Sequence, residues 1–95
     1  MSGSDPAVEN GLNSSADPLP AWQREVDASG LNCPLPILRA KKALAGMGSG
    51  EILRVTTTDA RAPKDFQAFC RQSGNELLAQ RQEDGRAQHF LRRRA

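Results

Sequence analysis

The stretch CPLPILRAKKALAGMGSGEILRVTTT, residues 33–58, combines a helical pattern with a strand pattern. Apolar residues recur at helical spacing after two prolines, and a first-turn proline is tolerated because its missing N–H would have no partner there. Gly46, Gly48 and Gly50 end this pattern. Residues 51–58 then alternate and are rich in β-branched side chains. The stretch therefore predicts a helix followed by a strand.

Weaker patterns flank this stretch. Residues 22–27 predict a short half-buried strand, in which Trp22 and Val26 are the apolar positions. Beyond the central strand, Pro63 suits the first turn of a second helix, and Gly74 is placed to close that helix in a left-handed cap. One apolar stripe of this helix contains Phe66, Phe69, Cys70 and Ser73.

The end of the sequence predicts a hairpin. Residues 76–82 and 86–92 flank Asp84-Gly85, a dipeptide that favours a tight turn. The order strand, helix, strand, helix, strand, strand indicates an α+β fold, a two-layer α/β sandwich with both helices packed on one face of a four-stranded mixed sheet. On the opposite, open face of the sheet we expect Arg54, Thr56, Gln80, Gln82 and Gln88.

Composition divides the chain into two parts. Residues 1–21 are rich in Ser, Gly, Pro, Asn and Asp, which predicts a flexible N-terminal tail, and residues 22–95 form the expected domain. We find no apolar run typical of a secretory signal or a membrane span, so we expect a cytoplasmic protein with no membrane partner.

Charge and aromatic content argue against a nucleic-acid binder. The formal net charge is only +2, from 13 basic and 11 acidic residues, and the chain has one Trp, three Phe and no Tyr. The arginines at 92–94 fit a solvated strand end better than a phosphate-binding patch. A small regulatory or nucleic-acid-contacting module, using these arginines and the basic first helix, stays open as an alternative.

Cys33 is the candidate functional residue. It falls at the start of the first helix, where unpaired N–H groups and the helix dipole stabilise a thiolate or a persulfide anion. We expect Pro34 to occupy the first helical position and to aim the sulfur outward. Arg39, Lys41 and Lys42 follow in the same helix and add positive charge. The pattern predicts an exposed Cys33 whose pKa is lower than that of a free thiol.

The remaining chemically active side chains have plainer interpretations. Cys70 shares a stripe with two phenylalanines and is expected to be a small buried hydrophobe. His89 is expected to be a surface or cross-strand residue. Two cysteines and one histidine do not complete a zinc set, and no phosphate-binding loop is present, so we expect neither a metal nor a cofactor. A stand-alone thiol reductase is a third hypothesis, which would need Cys70 as the resolving thiol.

The segment VDASGLNCPLP, residues 26–36, resembles the signature of the TusA/SirA family of sulfur carriers, whose hallmark is Cys-Pro-x-Pro. One departure is Ala60, which follows Asp59 where family members often have proline. The similarity continues through residues 39–44, 50–51, 58–59, 65–66, 69–70 and 76–77.

The resemblance implies a βαβαββ fold and a persulfide held on Cys33. It implies two kinds of partner, a sulfur donor of the cysteine desulfurase or rhodanese type and a sulfur-accepting protein. The family serves tRNA thiolation, sulfur oxidation and cofactor sulfuration. Its members act as carriers, so turnover by the chain alone is not expected.

Overall fold

The computed structural model describes residues 19–95, and most of the expected tail, 1–21, lies outside them. The elements are β1 Arg24–Ala28, α1 Leu35–Ala45, β2 Ile52–Thr57, α2 Ala62–Ser73, β3 Glu76–Glu83 and β4 Arg86–Arg92. Within the described part, neither helix has the length and apolar character that a bilayer crossing requires.

The four strands form one mixed sheet in the order β1-β2-β4-β3. β1 pairs with β2 in parallel, whereas β4 pairs antiparallel with both β2 and β3. α1 packs on β1 and β2, and α2 packs on β3 and β4. Both helices share the buried core with the sheet, which confirms the predicted two-layer βαβαββ sandwich.

α1 begins one residue later than the sequence suggested. Pro34 immediately precedes the helix instead of occupying its first position, and Pro36 lies in the first turn, where it is buried. The Cys33–Pro34 peptide bond is cis. The buried face of α1 continues through Ala40, Ala43, Leu44 and, just after the helix, Met47.

α2 has the predicted start and end. Pro63 lies in its first turn, so the helix begins at Ala62 although Ala60 replaces the usual family proline. Gly74 has φ +84°, a conformation that costs little only for glycine, and its N–H donates to the carbonyl of Cys70 at 3.1 Å. Phe66 and Cys70 are buried on the sheet side of this helix.

The alternating burial of β2 side chains and the tight turn between β3 and β4 also agree with the predictions from the sequence. Leu53, Val55 and Thr57 are fully buried, so this set of β2 side chains faces the helices. In the hairpin turn Asp84 has φ 53° and Gly85 has φ 76°, the positive values that a two-residue turn of this twist needs.

The surface assignment of His89 is wrong, although the residue does pair across both neighbouring strands. His89 is fully buried and stacks on Phe66 with a centroid distance of 4.5 Å. Gln80 Nε2 donates to His89 Nδ1 at 3.0 Å and to the carbonyl of Pro63 at 2.9 Å. His89 Nε2 therefore carries the ring proton and donates to Thr57 Oγ1 at 2.9 Å.

The sequence placed Gln80 and Gln82 on the open face of the sheet, but both lie on the helix face, because they pair with the buried residues His89 and Ala87. Gln80 faces the helices, as its bond to His89 requires. Trp22 precedes β1, is 40% exposed and lies under the guanidinium of Arg54, 4.5 Å from the ring centre. Arg54 in turn pairs with Glu25 at 2.6 Å, so the cation that the sequence placed on this face is already neutralised by a neighbour.

Burial of His89 predicts a specific loss of stability in mild acid. Burial lowers the pKa of His89 to about 4, whereas the unfolded chain titrates at the ordinary 6.5. The unfolded state therefore binds the proton first, and the stabilisation is present above pH 6.5 and lost as the pH falls towards 4. We expect the free energy of unfolding to fall by about 3 kcal/mol across this range.

Urea unfolding of the wild type and of His89→Gln at a series of pH values measures this loss. Glutamine cannot titrate, so the variant should have a lower stability that depends much less on pH in this range. Equal pH slopes for the two proteins would show that His89 is not buried in its neutral form.

Candidate functional site

Cys33 lies in the loop between β1 and α1, residues 29–34, which we call the cysteine loop. Its thiol is free and exposed, as the sequence predicted. The loop leaves β1 through a turn in which the Leu31 N–H donates to the carbonyl of Ala28 at 3.2 Å. It enters α1 through a second bond, from the Leu35 N–H to the carbonyl of Asn32 at 2.8 Å.

Two hydrogen bonds join the cysteine loop to the loop between β2 and α2, residues 58–61. The Gly30 N–H donates to Thr58 Oγ1 at 2.8 Å. The Cys33 N–H donates to Asp59 Oδ2 at 2.7 Å. The backbone of Cys33 is therefore fixed by a hydrogen bond, while its side chain remains exposed.

Asp59 is ionised at neutral pH. Its Oδ1 accepts the Arg61 N–H at 2.9 Å, and its side chain is only 9% exposed. The backbone hydrogen bonds from Arg61 and then Cys33 lower the pKa of Asp59. A short charged hydrogen bond of this kind is stronger than a neutral one.

The expectation that the pKa of Cys33 is lowered is wrong. A hydrogen bond to the Asp65 side chain raises the pKa of the thiol, and desolvation and the negative charge of Asp65 act in the same direction. Arg61 lowers the pKa and Asp59 raises it by smaller amounts. The charges acting on the sulfur come from α2 and the loop before it, not from the cations along α1. Relative to a free cysteine, the surroundings of Cys33 therefore disfavour the thiolate.

The other two candidate side chains lie in the core, away from the surface where Cys33 is exposed. Cys70 is buried on α2, as predicted, and burial raises the pKa of its thiol to about 11. Both ring nitrogens of His89 are engaged with Thr57 and Gln80. Neither residue is placed to act as a base or as a resolving thiol for Cys33.

The residues around Cys33 that the sequence analysis did not assign are Thr58, Asp59, Arg61 and Asp65. Asp59 and Asp65 belong to segments that resemble the family, but they carried no role there. Topology supplies the missing signal, because the carboxyl ends of two parallel strands lie at the same edge of a sheet. The loop after β2 must therefore lie beside the loop after β1.

Comparison with known proteins agrees with this fold and site. The family model described as sulfurtransferase TusA matches residues 24–93. The sulfur carrier protein TusA of Allochromatium vinosum is 57% identical over 70 residues, which are 74% of this chain and 91% of that protein. TusA of Pseudomonas entomophila is 37% identical over 70 residues, covering 74% of this chain and 88% of the relative.

A solved structure gives the same result. The SirA-like protein of Desulfitobacterium hafniense superposes with a TM-score of 0.68 at 27% identity, covering 77% of this chain and all of the other. The fold and the exposed cysteine thus define a small carrier with a cysteine at the head of a helix. The chain belongs to the TusA family. It is a sulfur carrier of a sulfur relay, which places it between donor and acceptor proteins.

The effect of the Asp65 side chain on the pKa of Cys33 predicts the result of removing one charge. Asp65→Asn should lower the pKa of Cys33, because the carboxylate that disfavours the thiolate is gone. The ultraviolet absorbance of the thiolate, followed against pH, measures the change. Glu76→Gln is the matched control, since it removes the same charge at the opposite end of the sheet, and it should leave the Cys33 pKa unchanged. A Cys33 pKa that does not fall in Asp65→Asn would show that the Asp65 carboxylate does not raise it.

The burial of Cys70 predicts a purely structural role. Cys70→Ala should reduce the free energy of unfolding by about 1 kcal/mol, because a buried thiol is replaced by a smaller methyl group. Thermal unfolding measures the loss of stability, and intact mass measures sulfur uptake, which we expect to be unchanged. Loss of uptake at an unchanged melting temperature would instead make Cys70 a participating thiol.

Proposed function

We propose that the sulfur is carried on Cys33, as a persulfide that is accepted from one protein and delivered to another. The observation that carries this proposal is the contrast between the two thiols. Cys33 is exposed on a loop whose backbone is fixed by Thr58 and Asp59, whereas Cys70 is buried with a pKa of about 11.

The transfer needs no oxidant and no cofactor. The Cys33 thiolate attacks the outer, sulfane sulfur of the donor's persulfide, forming one S–S bond while the donor's S–S bond breaks. The donor cysteine leaves as a thiolate and takes up the proton that Cys33 released. Delivery repeats this exchange, with the acceptor thiolate attacking the outer sulfur on Cys33.

The surroundings of Cys33 suit a protein partner. Leu35 is 47% exposed and Leu38 is 52% exposed, and both lie on the first turns of α1 beside the cysteine. Exposed apolar side chains next to a reactive group favour docking of a complementary surface. We assign the donor to the cysteine desulfurase or rhodanese class and the location to the cytoplasm. The relay we propose serves tRNA thiolation, sulfur oxidation or cofactor sulfuration.

The alternative of a nucleic-acid-contacting module has less support, because the terminal arginines have partners within the chain. Arg92 pairs with Glu76. Arg93 Nε donates to the carbonyl of Leu44 at 2.7 Å. Arg94 donates to the carbonyl of Ser73 at 3.1 Å. Arg93 and Arg94 thus satisfy carbonyls at the C-terminal ends of the two helices, where cations are favourable.

The proposal predicts that one sulfur atom is added to Cys33. Incubation with a cysteine desulfurase and L-cysteine, or with a rhodanese and thiosulfate, should raise the intact mass by about 32 Da. A thiol reductant should reverse the gain. Cys33→Ser is expected to take up no sulfur, while Cys70→Ala serves as the control that retains it. Reducible uptake by Cys33→Ser, or no uptake by wild type from either donor, would contradict the proposal.

A further inference from the structure

The backbone of Cys33 is held by a carboxylate from a distant part of the sequence. Its N–H donates to Asp59 Oδ2 at 2.7 Å across 26 positions. The turn bonds on either side of it start from the N–H groups of Leu31 and Leu35, so they fix the ends of the cysteine loop. The N–H of Cys33 itself is bonded to Asp59.

Asp59 is itself held in place by hydrogen bonds to residues at the start of α2. Oδ1 accepts the Arg61 N–H at 2.9 Å, and the Asp59 carbonyl accepts the Ala62 N–H at 3.0 Å at the start of α2. With a side chain only 9% exposed, its oxygens meet little competition from water. One carboxylate therefore bridges an N–H of the cysteine loop and an N–H at the head of α2.

We propose that Asp59 is a positioning residue for persulfide transfer, whose carboxylate fixes the backbone of Cys33 and thereby the direction in which the sulfur points. This role rests on the proposed function of Cys33 as the carrier. Transfer between two proteins requires the attacking sulfur, the sulfane sulfur and the leaving sulfur to align, and small errors in such alignment reduce rates strongly. Asp59 acts through an N–H and takes no part in the exchange of bonds.

The bridging geometry makes asparagine a sharp test. Two N–H donors face Asp59, and a carboxylate offers an acceptor oxygen to each. An asparagine amide has one acceptor oxygen, and its NH₂ group would face the second N–H. Asp59→Asn therefore keeps the shape of the side chain and breaks one of the two bonds.

The loss of charge in Asp59→Asn should by itself speed transfer, whereas the loss of the hydrogen bond should slow it. Asp59 raises the pKa of Cys33, so its neutralisation favours the reactive thiolate. A positioning role thus predicts slower transfer from the donor to a Cys33 thiol that ionises at least as easily as in the wild type. An electrostatic role predicts faster transfer, and the two outcomes have opposite signs.

The experiment measures single-turnover persulfide transfer from whichever of the two donors, a cysteine desulfurase with L-cysteine or a rhodanese with thiosulfate, loads the wild type. We expect Asp59→Asn to be slower by roughly 10-fold to 100-fold, even at a pH where the thiol is fully ionised. Alkylation by iodoacetamide at that pH should change by less than about twofold, because a small reagent needs no fixed orientation. Asp27→Asn is the matched control, since Asp27 accepts the Ser29 N–H at 3.0 Å in the same region but does not bind Cys33, and it should transfer at the wild-type rate.

A second measurement uses the wild type and does not depend on the variant folding. The amide protons of Cys33 and Arg61 should shift together in an NMR pH titration, with a shared midpoint below the ordinary 3.8 of an aspartate. Absence of this shared titration overturns the proposal, as does a wild-type transfer rate in Asp59→Asn. If wild type loads from neither donor, the proposed function itself is wrong. If wild type loads and Asp59→Asn transfers equally fast, only the positioning role is wrong.

Discussion

The parallel pairing of β1 with β2 is the constraint on which the site depends. α1 connects these strands as a crossover, so both strands end at the same edge of the sheet. The loop after β1 contains Cys33, and the loop after β2 contains Thr58 and Asp59. Their two hydrogen bonds could not form if the strands were antiparallel, because the loops would then lie at opposite edges. The sheet topology thus creates the site before any side chain contributes chemistry.

Core packing supports the same edge of the sheet. Thr57, the last residue of β2, is fully buried and accepts a hydrogen bond from His89 in the neighbouring strand. Gln80 extends this network to the carbonyl of Pro63 in the first turn of α2. Both ends of the loop that carries Asp59 are therefore attached to the buried polar network. A rigid platform of this kind reduces the ordering cost of each encounter with a partner.

Local signals in the sequence were sufficient to predict the elements and the fold class. Helical periodicity, first-turn prolines, Gly74 and the Asp84-Gly85 turn each depend on a few adjacent residues. The face of β3 could not be predicted in this way, because an irregularity between Leu77 and Ala79 shifts the register by one residue. Such a shift turns the following side chains to the other face, and it explains why Gln80 points towards the helices.

The cysteine itself was predictable, but its electrostatic surroundings were not. Cys-Pro-x-Pro marks Cys33 by local chemistry and by family resemblance. The Asp65 side chain, which raises the pKa of Cys33 most, lies near it only because of the tertiary fold, and Asp59 adds a smaller effect in the same direction.

Peptide mapping can determine whether the transferred sulfur resides on Cys33. After loading, alkylation and digestion with trypsin, Cys33 lies in peptide 25–39 and Cys70 in peptide 65–71. Tandem mass spectrometry should find the extra sulfur atom on peptide 25–39 alone, and an added acceptor thiol should remove it before alkylation. Sulfur on peptide 65–71, or sulfur on Cys33 that no acceptor thiol can remove, would show that Cys33 is not the carrier.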